Sequence, residues 1–299
     1  MFTDGGCVAC HGQPITGMAV HLARKRGWRI DEAVNRSAAA ETARAINILS
    51  GNTASNLQAR ESGGILDSML YTSVMMATSG EPASAGTDTL VYYLAAKQRA
   101  DGFWVGVGGN RAPMQDGNLS RTAMAIRAIT AYMIPARKAE LTRRIDRAAT
   151  WLANQKPLST EDRVMQLLGL EWAGAEGALR VRRTKELIDI QRSDGGWAQT
   201  PYLSSDAYAT GQVLFTLHEL GVPSSDPAFK RGVDYLLRTQ QNDGSWYVKS
   251  RAMKIQPYFE SGFPYDHDQW ISETGTAWAV MALTFAAPET TASVSASRQ

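Results

Sequence analysis

The chain has 299 residues, 44% of them hydrophobic and 20% charged, with a formal net charge of +2. That is the composition of an ordinary globular protein with enough chain for one large core or two ordinary ones. The charge gives no basis for nucleic-acid binding, and there is no apolar run of the roughly 18 residues that a transmembrane helix needs.

The chain opens Met1-Phe2-Thr3-Asp4-Gly5-Gly6, which is not the charged and apolar start of a signal peptide. Cys7-Val8-Ala9-Cys10-His11 follows and spells C-x-x-C-H, the attachment sequence of a covalent c-type haem. Two thiols one turn apart can each form a thioether to a haem vinyl group, and the adjacent imidazole can reach the iron. These are the only two of the chain's cysteines, and four histidines are present in all. A redox pair, a disulfide or half of a metal site are the alternatives. A closed zinc site needs a further ligand, and no second Cys/His cluster supplies it. One haem c on Cys7, Cys10 and His11 is therefore expected. Such attachment takes place outside the bacterial cytoplasm, so a periplasmic or extracellular location is expected, although no signal peptide is visible.

Helical periodicity runs through 14–26, 31–48, 64–79, 86–98, 119–133, 138–154, 160–173, 178–191, 205–220, 227–240 and 271–285, with no competing strand pattern. Residues 287–299 are rich in Ser, Thr and Ala and are expected to be a disordered tail.

Three segments repeat one pattern. An apolar helix face ends at Gln98, Gln191 or Gln240, and each Gln leads into Asp101-Gly102-Phe103-Trp104, Asp194-Gly195-Gly196-Trp197 or Asp243-Gly244-Ser245-Trp246. A degenerate copy at Trp151-Leu152-Ala153-Asn154-Gln155 lacks the Gly-x-Trp end. In each full copy a Gly supplies the turn that ends the helix, and a Trp packs back over it. This pattern resembles the Q-x-x-D-G-x-W repeat of the squalene–hopene cyclase and prenyltransferase superfamily. With the haem motif and segments such as Ser205-Asp206-Ala207-Tyr208, the chain is similar to bacterial cyclase-like proteins that carry C-x-x-C-H.

The resemblance implies an all-α fold: an α/α toroid of about eleven to twelve helices in inner and outer rings. Helices ending in a repeat belong to the outer ring. Those at 119–133, 205–220 and 271–285 belong to the inner ring, and so by alternation do 14–26 and 64–79. Eleven helices instead of twelve suggest an open ring or a trimmed chain. The expected organisation is a haem segment with the first inner helix at 1–27, the toroid at 28–286 and the tail at 287–299.

Inner helices of such a ring start at one mouth, and Cys10-His11 immediately precedes one of them. Asp116, Glu161, Asp162, Asp206, Ser272 and Glu273 stand at the starts of others, as a polar cavity rim. Taken singly, each suits a helix N-terminus as a cap or dipole partner. His267, in the long connection 247–270, is the first choice for a second metal ligand on the haem iron. Met114 and Met18 are thioether alternatives, and His218 reads as a core histidine. A connection of that length belongs to a lid or binding loop.

The chemistries of the family do not transfer directly. Class II cyclases protonate an alkene with an Asp-x-Asp-Asp motif, which this chain lacks. Glu161-Asp162 and Asp266-His267-Asp268 are the nearest carboxylate pairs. The thiol that a prenyltransferase zinc needs is already committed to the haem motif, and no nucleophile elbow or phosphate loop is present. The leading expectation is a monohaem electron-transfer protein docking a redox partner. The alternative is a cyclase-like enzyme or binding protein for a small apolar, isoprenoid-like ligand.

Overall fold

Ten α-helices and two single-turn 3-10 helices make up the described part of the computed structural model, residues 12–31, 33–34, 36, 64–107, 111–175, 177–253, 258 and 260–287. The helices are α1 (Gly12–Lys25), α2 (Ile65–Ser79), α3 (Ala85–Lys97), α4 (Asn118–Ala131) and α5 (Lys138–Asn154). They continue with α6 (Thr160–Trp172), α7 (Ala178–Asp189), α8 (Ala207–Glu219), α9 (Pro227–Thr239) and α10 (Gln269–Ala286). The expected helix at 31–48 apart from residues 31, 33–34 and 36, the tail beyond residue 287 and the haem-motif residues Cys7, Cys10 and His11 lie outside the described residues. No β-strand occurs among the described residues.

Patterning separates the two rings. On α5 the buried residues are Leu141, Ile145, Ala148 and Leu152, a single stripe that leaves the opposite face to solvent. On α8 every residue from Ala207 to Leu217 is buried, because neighbours surround that helix on all sides. The inner helices pack in the order α1, α2, α4, α6, α8, α10 and back to α1. The inner ring is therefore closed, which removes the open ring from the two alternatives. Contact between α1 and α10 closes it, with Thr16 Oγ1 donating to Glu273 Oε1 at 3.2 Å. Close approach is built in where α8 meets α10, since a Cβ at Gly211 would lie 2.5 Å from the Trp278 carbonyl carbon.

The repeats act as stitches between rings. Each repeat Trp is buried, and its indole N–H donates to a carbonyl on the preceding outer helix. The pairs are Trp104 to Leu94 (2.8 Å), Trp197 to Leu187 (2.9 Å) and Trp246 to Leu236 (2.9 Å). The backbone N–H of each Trp donates in turn to a threonine on the next inner helix: Thr122, Thr210 and Thr276. The repeat Gln ties one outer helix to the next. Gln98 Nε2 donates to the Gly102 and Arg144 carbonyls (both 2.9 Å), and Gln191 Nε2 to those of Gly195 and Ala228 (both 2.8 Å). Glycine is required in the turn, because Gly102 has φ +108° and a Cβ there would sit 2.6 Å from the Arg147 carbonyl oxygen.

The degenerate copy, without its Trp, is tied to the inner ring by a glutamine. Gln166 of α6 donates through Nε2 to the carbonyls of Leu152 (2.6 Å) and Gln155 (3.0 Å). The counterpart of the carbonyls that Trp104, Trp197 and Trp246 satisfy in the full copies is that of Trp151, four residues before Gln155, and it accepts from Gln155 Nε2 at 3.1 Å. A buried carbonyl demands a donor, and the side chain that supplies it can come from a different helix.

Candidate functional site

Because the Trp–Thr stitches set a common register, the first turns of the inner helices lie side by side at one end of the ring. Two residues before Thr122 stands Ser120, and two before Thr210 stands Tyr208. Glu161 fills the same layer on α6, where Arg163 occupies the threonine position. Tyr208 Oη donates to Glu161 Oε2 at 2.8 Å, while Ser120 Oγ lies 3.5 Å from Glu161 Oε1. One turn deeper on α8, Gln212 Nε2 donates to Tyr208 Oη at 3.1 Å. Tyr71 of α2, two helices away around the ring, is near enough to Glu161 for its phenol to feel the carboxylate.

Glu161 is 4% exposed, and burial raises its carboxyl from 4.5 to about 7, against the lowering effect of its hydrogen bonds with Tyr208 and Gln212. Burial likewise pushes the Tyr71 and Tyr208 phenols well above their ordinary range. The site thus holds a carboxyl that carries a proton close to neutrality, among hydroxyl and amide groups and with apolar packing below. Next to it on the α2–α4 side, Arg121 and Asp67 form a buried ion pair at 2.8 Å, and Arg121 also donates to the Gln115 carbonyl at 2.9 Å.

The remaining rim residues divide by role. Asp162 closes a capping box with Ser159, and Asp206 accepts from the Ala209 N–H at 2.9 Å as the cap of α8. Burial raises the Asp206 carboxyl to about 6. Asp116 is exposed and caps nothing, since Gly117 stands at the head of α4. Glu273 faces the start of α1 through Thr16, and burial raises its carboxyl. Ser272 is not at the helix start, because α10 begins three residues earlier. Its hydroxyl accepts the Val248 N–H at 2.9 Å.

The described residues of the connection, 247–253 and 260–268, run to this same mouth. Asp268 fastens it by accepting from Tyr247 Oη (2.7 Å) and the Ser250 N–H (2.9 Å). Arg251 Nε donates to Gln199 Oε1 at 2.7 Å, and the Arg251 charge acts on Glu161, Asp206 and Asp116 together. His267 sits in the single-turn helix Asp266–Asp268, exposed, with its ring 4.8 Å from that of Tyr258. Met114 and Met18 are buried. His218 corrects the core reading: it lies in the last turn of α8, half-buried and stacked 3.8 Å from Phe285, at the opposite end of the ring. Among the described residues no group of three or more His, Cys, Asp or Glu is arranged to hold a metal.

Sequence reasoning placed Glu161 on the rim but missed Tyr208, Gln212, Ser120 and Tyr71. The signal that would have found two of them is the threonine register: aligning Thr122, Thr210 and Thr276 puts Ser120 and Tyr208 in one layer.

Residues 158–298 match the family model of the squalene–hopene cyclase C-terminal domain. In its second half the chain is thus similar in sequence to that domain. The type II terpene cyclase MstE from Scytonema, solved in complex with the substrate geranylgeranyl dihydroxybenzoate, is similar over 97% of this chain and 91% of its own, at 16% identity and a TM-score of 0.56. A protein from Actinoplanes matches 93% of the chain and 90% of its own at 14% identity and a TM-score of 0.58. A possible GH105-family member from Salmonella enterica serovar Paratyphi A matches 92% of the chain and 81% of its own, at 14% identity and a TM-score of 0.50. At such identities these likenesses establish the α/α toroid and carry no activity with them.

Proposed function

We propose that this chain is a cyclase-like protein that takes a small apolar, isoprenoid-like ligand at the mouth end of the inner ring, with Glu161 as its proton donor. The observation that carries this reading is the buried Glu161 carboxyl, protonated near neutrality and held by Tyr208. Alkene protonation needs an acid that has kept its proton in a dry environment, and burial provides that condition. In the step envisaged, the Glu161 O–H bond breaks as a C–H bond forms at one alkene carbon. The other carbon becomes cationic, and the carboxylate left behind is stabilised by the Tyr208 hydroxyl. The similarity to a type II terpene cyclase supports the ligand class.

The inner helices are closely packed, so a ligand has to be admitted by rearrangement. Met18, Met69, Met75, Met76, Met124 and Met165 are all buried on them, and unbranched thioether side chains repack more readily than branched ones. The test is incubation of the full chain with polyprenyl probes, geranylgeranyl dihydroxybenzoate first, with products resolved by mass spectrometry. Conversion that disappears in Glu161→Gln supports the reading, and neither binding nor conversion of any such probe refutes it.

A c-type haem on Cys7, Cys10 and His11 is a second proposal, supported by the C-x-x-C-H motif itself. Bound there, a haem would supply one-electron chemistry, and a redox partner protein would then be required. Electron transfer has only this motif behind it, whereas the cyclase-like reading has both the fold and the buried acid.

A further inference from the structure

Gln212 carries a polar atom that nothing satisfies. The residue is 1% exposed, its Nε2 reaches Tyr208 Oη at 3.1 Å, and its Oε1 has no hydrogen-bond partner. A buried acceptor left without a donor is costly, and native interiors rarely tolerate one without a reason. Here the missing donor follows from the chemistry of the neighbouring acid.

Consider the two proton states of Glu161. With the carboxylate ionised, hydrogen bonds run one way: Gln212 Nε2–H donates to Tyr208 Oη, and Tyr208 O–H donates to Glu161 Oε2. With the carboxyl protonated, Oε2–H donates to Tyr208 Oη, whose own hydrogen must then find an acceptor. The atom that can accept it is the oxygen of the Gln212 carboxamide, once the amide turns end for end about its terminal bond. The two amide orientations are nearly isosteric, so the turn needs no repacking.

We propose that Gln212 is the positioning residue that keeps Glu161 hydrogen-bonded in both of its protonation states, by reversing its carboxamide through Tyr208 as the proton leaves and returns. This rests on the reading of Glu161 as proton donor and deepens it: an acid that cycles needs a partner able to accept before transfer and to donate after it. Glutamine meets that need at one position, whereas an apolar residue serves neither state. The groups facing Glu161 are Asp162 on its own helix, Ser120 of α4, Tyr71 of α2, Tyr208 and Gln212 of α8, and Arg251 of the connection. Of these, Asp162 and Arg251 act on the carboxyl as charges, while Tyr208 and Gln212 bond to it.

The test is a pH titration of the full chain followed by NMR of the Gln212 side-chain amide, assigned by its loss in Gln212→Met. The expected result is an amide signal that moves with the midpoint of Glu161, about 7. That movement should vanish in Glu161→Gln and shrink in Tyr208→Phe, where the connecting oxygen is gone and only the direct bond between Gln212 and Glu161 remains. An amide that does not titrate in the wild type, or that still titrates in Glu161→Gln, overturns the proposal. If Tyr208→Phe fails to fold, as judged by its melting curve, the Glu161→Gln arm decides alone. The two readings fail separately. Coupled titration without any bound or converted apolar probe removes the cyclase-like function and leaves the relay. Conversion with a silent Gln212 removes the relay only.

Discussion

Replacing Glu161 by Gln should change how stability depends on pH in a defined window. In the unfolded chain the carboxyl titrates near 4.5, and in the folded protein near 7. Between those values the native state binds more protons than the unfolded state, so stability falls as pH rises. It is greatest below 4.5 and fully reduced above 7. At about 1.4 kcal/mol per pH unit, the gap corresponds to a loss of about 3 kcal/mol across the window. Glutamine is neutral in both states and keeps the carbonyl that accepts from Tyr208, so its stability should lack this slope. Asp206, raised from 3.8 to about 6 by burial, adds a slope of the same sign. It is present in both proteins and cancels in their difference. Urea unfolding of wild type and Glu161→Gln, from pH about 4.5 to about 8, measures that difference. The variant should gain on the wild type by about 3 kcal/mol from the acid to the neutral end. A difference that stays constant with pH would refute the argument that Glu161 keeps its proton through burial.

Other expectations follow from the packing. Trp197→Phe keeps an aromatic ring but strands the buried Leu187 carbonyl, and should cost about 1–3 kcal/mol in chemical denaturation. Arg121→Met takes away the guanidinium that pairs with the buried Asp67 carboxylate, for a loss of about 3–5 kcal/mol, much of which a second change, Asp67→Leu, should restore. Gly102→Ala forces a Cβ against the Arg147 carbonyl at positive φ, and its melting temperature should drop clearly, whereas Gly64→Ala, also at positive φ, meets no neighbour and should cost less. Made with a c-type maturation system, the chain should carry one covalent haem on Cys7 and Cys10, read as a pyridine haemochrome. A protein without a Soret band would remove haem from the account.

Much of this architecture was legible in the sequence because its cause is local. A helix ending in Gln-x-x-Asp-Gly-x-Trp must turn at the glycine and return its indole to a carbonyl ten residues back, as Trp104, Trp197 and Trp246 do. Three ordered copies therefore specify alternating outer and inner helices. Helix starts were legible for the same reason: Ser84, Ser159, Asp206 and Asp226 all cap within three residues of themselves. Tertiary structure decided what distant residues do to one another. Closure of the ring depends on α1 meeting α10, residues more than 240 positions apart, as the Thr16 and Glu273 contact across 257 positions illustrates. Glu161 and Asp162 are adjacent acids at one helix start, yet one is a cap and the other a buried proton carrier. Their difference is a rotation of 100° about the helix axis, and only the neighbouring helices determine which direction is dry.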